Sequence, residues 1–153
     1  MDFQELYQHK QEKLLKLFQD SLDPQVKYTI IMELGRTLPT CPKELMTEAN
    51  IVKGCQSTVY LASHFQEDGT LQFLIHSDAL ISSGLAALLL FIYDKEPVEF
   101  IIHSPPLFIK ELGLHSSLTP GRSNGLLSMY SRMKQEALKH FLIKQYSSNP
   151  KIV

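Results

Sequence analysis

Neither sign of charge dominates this chain: 15 Lys and Arg stand against 16 Asp and Glu in 153 residues, with a pI near 6.6. Without a basic or acidic excess there is no whole-protein field to hold a phosphate backbone or an anionic membrane, so neither nucleic acid nor a membrane is an expected partner. Cysteine is scarce as well. Two residues, Cys41 and Cys55, cannot build a disulfide framework, and they are not in a Cys-x-x-Cys arrangement. A zinc or iron-sulfur scaffold needs three or four soft ligands, so that reading fails on ligand count. None of His64, His76, His103 and His115 pairs with a second His at i+4 around a Glu, and all four read as surface or strand-end histidines. The longest apolar stretch, Leu85 to Tyr93, is about half of the roughly 20 residues a spanning helix needs, and it belongs in a core. Met1-Asp2-Phe3-Gln4-Glu5 lacks the basic and apolar regions of a secretory signal and is too acidic for a transit peptide. A cytoplasmic protein is the expectation. There is also no repeat, low-complexity segment or long linker, which predicts one domain over residues 1–153.

What is present reads as helices around a hairpin. Phe3, Leu6, Tyr7, Lys10, Leu14, Leu17 and Phe18 recur at spacings of three and four, the pattern of an amphipathic first helix. Asp23-Pro24 combines an N-cap with a proline at the first helical position, and Val26, Ile30, Ile31 and Leu34 form a buried stripe up to a stop at Gly35. Leu38-Pro39-Thr40-Cys41-Pro42 cannot continue a helix and makes a braced connector. The period then switches to two: Val59, Leu61 and Phe65, a turn at Glu67-Asp68-Gly69-Thr70, then Leu71, Phe73 and Ile75. That is a β-hairpin with one packed face, to which Ile51 and Val52 add an extension or a short third strand. Ser77-Asp78 opens a central helix from about Ala79 to Tyr93, apolar around most of its circumference. Short helices to about Ile102 and from Leu107 to Leu112 follow, then a last helix from Asn124 to about Ile143 with Ser123 as its cap. The expected class is α+β: a small antiparallel sheet of about three strands packed against helices in two layers.

One residue carries candidate chemistry. Cys55 lies in Val52-Lys53-Gly54-Cys55-Gln56-Ser57-Thr58-Val59-Tyr60, at the boundary between a loop and the first strand. Gly54 permits a tight, left-handed backbone before the thiol, which lets a partner approach closely. A free thiol is only a few per cent ionised at neutral pH, so reactivity there depends on backbone amides or on a cation such as Lys53 or Arg122. A lone cysteine is more often a small buried residue, but a position between Gly and Gln-Ser is no obvious core site. Cys41, between Thr40 and Pro42, reads as incidental; it would resolve an oxidised Cys55 only within disulfide reach. Roughly 65 residues beyond Cys55 comes Leu118-Thr119-Pro120-Gly121-Arg122-Ser123-Asn124-Gly125-Leu126, which holds Arg122 at a helix entrance. Arg122 is either a cation aimed at the cysteine loop or a surface arginine bracing an acid. Asp78 is explained structurally as a helix N-terminal anion.

The Gly54-Cys55-Gln56-Ser57 run resembles, letter for letter, the motif of the SufE family of sulfur acceptors in iron-sulfur cluster assembly. Glu33-Leu34-Gly35, Leu38-Pro39, Ser77-Asp78-Ala79, Gly84-Leu85 and Arg122-Ser123-Asn124-Gly125-Leu126 follow in family order, so the resemblance covers the chain from about Tyr28 onward. Departures are Tyr60 for a frequent Trp, Gly121 for a frequent Ser, and the closeness of His115 to Gly113-Leu114. The resemblance implies a SufE-like fold and a thiol, Cys55, that takes persulfide sulfur from a pyridoxal-phosphate cysteine desulfurase and stimulates it. It further implies delivery to an iron-sulfur scaffold complex, no cofactor of its own, and Gly54, Gln56, Asp78 and Arg122 in support, with Asp78 and Arg122 near the cysteine loop. Two other readings stand beside it: a non-catalytic adaptor that binds through the loop, and a cysteine hydrolase. The hydrolase would need a His oriented by an Asn or Asp beside Cys55, and no local protease signature accompanies this thiol.

Overall fold

The computed structural model describes residues 2–18 and 23–148. Helix α1 (Phe3–Leu17) opens on Asp2, whose carboxylate accepts the Glu5 amide at 2.8 Å. Its inward line is Tyr7, Leu14 and the cap residue Phe18, whereas Phe3 and Leu17, which share the stripe by spacing, are exposed. Lys10 closes the same face by donating to the Ile92 carbonyl and pairing with Glu96.

Helix α2 (Pro24–Arg36) starts as expected, with Asp23 accepting the Gln25 amide at 2.9 Å and Pro24 in the first turn. Its buried line is not the expected one. Val26 is exposed, and Lys27, Ile31 and Gly35 face inward at successive i+4 steps. Gly35 does not stop the helix either, which runs on to Arg36. A Cβ on Gly35 would lie 2.5 Å from the Leu80 carbonyl oxygen, and one on Gly84 would overlap the Ile31 carbonyl. Both glycines are there because α2 and α3 (Leu80–Tyr93) cross backbone to backbone.

After α2, the proline connector turns twice in 3₁₀ form, at Lys43–Leu45 and Glu48–Asn50. Strand β1 (Val59–Phe65) then pairs antiparallel with β2 (Thr70–Ser77), register Val59↔Ser77 through Phe65↔Leu71. Val59, Leu61, Leu71, Phe73 and Ile75 are buried, as the alternation predicts; Phe65 instead stacks outside on His140. The third strand, β3 (Glu96–Pro97), sits beside β2, giving the order β1-β2-β3. Ile51 contributes only an isolated bridge to Tyr60 on the other edge. The sequence points to that edge because Ile51 and Val52 are apolar, whereas β3 is formed by the turn at Asp94-Lys95, whose Lys95 has φ 58°. Asp94 secures that turn by accepting the Phe73 amide at 2.8 Å.

Helix α3 runs through the middle of the core, with Phe91 its one strongly exposed apolar side chain. Beyond β3 come α4 (Val98–His103), α5 (Phe108–Glu111) and α6 (Leu114–Ser117). The sequence pattern does not announce the last of these: it starts after Gly113 at φ 65°, a reversal too short to leave a periodic trace. Helix α7 (Pro120–Ser148) is longer at both ends than its apolar pattern suggests. Ser123 is therefore not its cap but a buried first-turn residue. Thr119 takes the cap position: its carbonyl accepts the first helical bonds, from the Arg122 and Ser123 amides at 3.1 and 3.0 Å, its hydroxyl accepts from the Arg122 amide at 3.4 Å, and Pro120 has no amide to satisfy. The result is an antiparallel three-stranded sheet with helices packed on it, the α+β class.

Candidate functional site

Cys55 stands on the irregular loop between the 3₁₀ turns and β1, and the first turns of α7 form the wall behind it. Gly54 has φ 93°, a conformation that demands glycine, and a Cβ there would meet the Ser128 hydroxyl at 2.5 Å, which that side chain would have to rotate away to relieve. The Cys55 side chain is half-buried and packs against the edge of the apolar core. Its Sγ lies 3.7 Å from the Gly125 carbonyl oxygen, a weak thiol contact. A Cβ on Gly125 would come within 3.7 Å of Cys55 Cα and 3.8 Å of Sγ, so the helix backbone itself is the neighbouring surface. Gln56 is exposed, its amide end against Gly121. Ser57 closes the loop on α3 through a 2.6 Å hydroxyl pair with Ser82.

Burial pushes the Cys55 thiol above a cysteine's ordinary pKa, and Cys41 moves the same way for the same reason. Lys53 is exposed on the loop and does not reverse that direction. In the unbound chain the thiol is therefore kept protonated and partly shielded, which suppresses both its nucleophilicity and its oxidation. The resemblance places Asp78 near this thiol, but it is the Gly125 region of α7 that shelters it. Asp78 has a side chain 89% exposed, bonded to His76 Nε2 at 3.0 Å rather than to an amide of α3. The start of α3 is held by Ser77, whose hydroxyl accepts the Ala79 amide and whose carbonyl accepts from Ser83.

Arg122 lies in the first turn of α7 with its guanidinium 5.4 Å from the centre of the Tyr28 ring. That is a cation-π contact to α2, where sequence reasoning weighed an acid or the cysteine loop. Ser123 beside it meets His115 Nδ1 at 3.4 Å. Cys41 is buried in a separate open cleft of about 620 Å³ whose walls include Gly35, Met46, His76 and Ser83. Both cysteines are free thiols.

Thus the fold brings Gly54, Cys55 and Gln56 to α7, places Arg122 on the same helix, and leaves Asp78 with His76. Sequence reasoning gave no role to Ser82, Gly125, Ser128 or Tyr28. The one signal for them was that Gly125 stands in the Arg122-Ser123-Asn124-Gly125-Leu126 run.

The SufE family, described as an Fe-S metabolism associated domain, matches residues 12–137. SufE-like protein 1, chloroplastic/mitochondrial, of Arabidopsis thaliana is 37% identical over 135 residues, which is 88% of this chain and 36% of that protein. An uncharacterised SufE-like protein of Synechocystis sp. is 35% identical over 135 residues, 88% of this chain and 84% of that protein. This chain thus spans about a third of the plant relative and most of the cyanobacterial one. The solution structure of a hypothetical protein from Thermus thermophilus shares the fold, with a TM-score of 0.72 over 87% of this chain and 96% of that one, at 24% identity. Among the described residues no helix is long and apolar enough to cross a membrane. With the family matched across most of its length, the chain belongs to the SufE family, whose domain is associated with iron-sulfur metabolism.

Proposed function

We propose that this chain, folded as one SufE-like domain, is a cytoplasmic sulfur acceptor that takes a sulfane sulfur onto Cys55 from a pyridoxal-phosphate cysteine desulfurase. The observation that carries the reading is the free Cys55 thiol on a glycine-hinged loop, half-buried at the core edge against Gly125, where its Sγ makes one weak polar contact. A carrier of labile sulfur benefits from such a position: shielded and protonated when free, presented when the loop meets a donor. In the transfer, the Cys55 thiolate attacks the outer sulfur of the donor's cysteine persulfide. The donor S–S bond breaks, its cysteine leaves as a thiolate, and the bond formed makes Cys55 a persulfide, with no net oxidation or reduction. The proton lost from Cys55 goes to the departing donor thiolate or to solvent. Draining the enzyme-bound persulfide frees the desulfurase for another turnover, which accounts for stimulation without a catalytic group on this chain. An iron-sulfur scaffold complex is the proposed recipient. Gly54 and Gln56 shape the loop, Arg122 holds the α7 entrance beside it, and Asp78 lies on the surface that a partner would meet.

Mass spectrometry after incubation with a desulfurase and cysteine tests this. The wild-type chain should gain the mass of one sulfur atom, lost again on thiol reduction. Cys41→Ser should gain it equally, and Cys55→Ser not at all, without stimulating the enzyme. Full stimulation by Cys55→Ser would refute the acceptor role and put the adaptor reading in its place.

A further inference from the structure

We propose that Arg132 is a positioning residue that clamps the N-terminal root of the Cys55 loop to α7 and so sets how often the thiol is presented. The inference deepens the sulfur-acceptor reading and rests on it for its purpose, though not for its geometry. Gly125, Ser128 and Arg132 stand at i, i+3 and i+7 on one face of α7, and the chain from residue 49 to 55 lies along that face. Gly125 backs the thiol and Ser128 abuts Gly54. Arg132 reaches the segment before them: its two terminal nitrogens donate to the carbonyls of Ala49 and Ile51 at 3.0 and 3.3 Å. Those carbonyls lie on the outer edge of a segment whose inner edge is already paired, since the Val52 amide donates to the Val59 carbonyl at 2.8 Å. Among the described residues no strand covers that outer edge, so the guanidinium fork stands in for one.

The fork is aimed from behind. Arg132 Nε donates to Glu136 at 3.2 Å, and the other oxygen of Glu136 accepts from Ser63 of β1 at 3.1 Å. Both charged side chains are mostly buried, 19% and 17% exposed, so solvent screens this pair less than a surface one. One chain of bonds thereby links β1, α7 and the loop root. Past Val52, which is buried and paired with Val59, the loop is held by the packing of Cys55 at the core edge with its 3.7 Å thiol contact, and by the Ser57–Ser82 pair at its far end. An open polar cleft of about 790 Å³, with Val52, Lys53, Ser131 and Gln135 among its walls, adjoins the clamp and leaves the loop room to move. Opening of Cys55 is then hinged after Val52, whose buried side chain and bond to Val59 end the fixed segment, and loosening Arg132 lets that segment fray from its outer edge back into the 3₁₀ turns.

The test uses the full chain in a Cys41→Ser background, where Cys55 is the one thiol. Arg132→Lys keeps a charge for Glu136 but cannot fork to two carbonyls; Arg132→Gln loses both. The rate of Cys55 alkylation by iodoacetamide, in which the thiolate displaces iodide, reads the open population without any partner. Losing charge-assisted bonds that hold a locally opening segment should raise that rate about tenfold in both variants, with the far-ultraviolet circular dichroism unchanged. A rate within about twofold of the parent in folded variants would overturn the clamp. Should neither variant fold, Glu136→Gln, which removes the charge that aims Arg132, gives the same readout, with faster alkylation supporting the clamp and an unchanged rate overturning it. Sulfur loading by a desulfurase is measured alongside. Faster alkylation in a chain whose parent gains no sulfur would leave the clamp standing and remove the acceptor reading; normal loading with unchanged alkylation would do the reverse.

Discussion

The α2–α3 crossing and the Cys55 loop are both built around glycines, and they use them oppositely. At the crossing, Gly35 and Gly84 let two backbones meet with no space left, so any side chain there collides with a carbonyl. In the loop, Gly54 supplies a φ of 93° and room for the Ser128 hydroxyl, but the residues around it remain largely exposed. The crossing gains stability from density, and the loop has little of that density to hold it. Cys55 stands where the two regimes meet, half in the core edge and half out.

The sharpest way to break that comparison is at the crossing. Gly84→Ala should cost about 3 kcal/mol or more, because the offending atom is backbone and cannot rotate away. Urea unfolding would report it, and a loss under about 1 kcal/mol would mean the helices are free to separate. Gly54→Ala is expected to cost about 1–2 kcal/mol, from the left-handed backbone and the Ser128 contact together. Removing the hydroxyl in Gly54→Ala/Ser128→Ala should return the steric part and leave the backbone part, a split that a double-mutant cycle measures.

Arg122 tests where the loop's support ends. Its contact with the Tyr28 ring in place of an acid implies a loss of about 0.5–1 kcal/mol in Arg122→Ala, little of it recovered by Arg122→Lys if the planar face is what counts. Thermal midpoints and desulfurase stimulation measured together separate its two roles. Lost stimulation at a nearly unchanged midpoint supports a function beside the loop, and a large midpoint drop with normal stimulation makes Arg122 a brace alone.

The smallest effect expected is in the titration of Cys55. Because burial disfavours the thiolate, the native pKa lies above that of the unfolded chain. The pH midpoint of Cys55 alkylation, in the Cys41→Ser background, should therefore be more alkaline in the native protein than in urea. By linkage, that thiol contributes stability fully present below the unfolded thiol's pKa and lost as pH rises through the native one. A native midpoint below the unfolded one would mean that a cation reaches the loop after all.

Much of the fold is legible in the chain itself. The 3.6-residue and two-residue periods locate α1, α2, the hairpin and α3, since each of those elements buries a continuous face. Elements without such a face leave no trace: β3 is two residues long, and α6 is a single turn. Val26 and Leu17 mislead because an apolar residue on a helix is buried only if a neighbour arrives on that side, and these two are covered only in part. Lys27 is the converse case, a charged residue carried inward on the line of Ile31 and Gly35.

For the site, the linear chain determined the identity of the thiol, the glycine before it and the family to which the run belongs, because these reside in adjacent letters. Only the tertiary structure decided the company Cys55 keeps. Gly125 is 70 positions away, Ser82 lies 25 beyond its partner Ser57, and Arg132 follows Ile51 by 81. Contacts at such separations depend on how α3 and α7 pack over the sheet, and no local pattern of charge or hydrophobicity encodes a pairing that the packing alone creates.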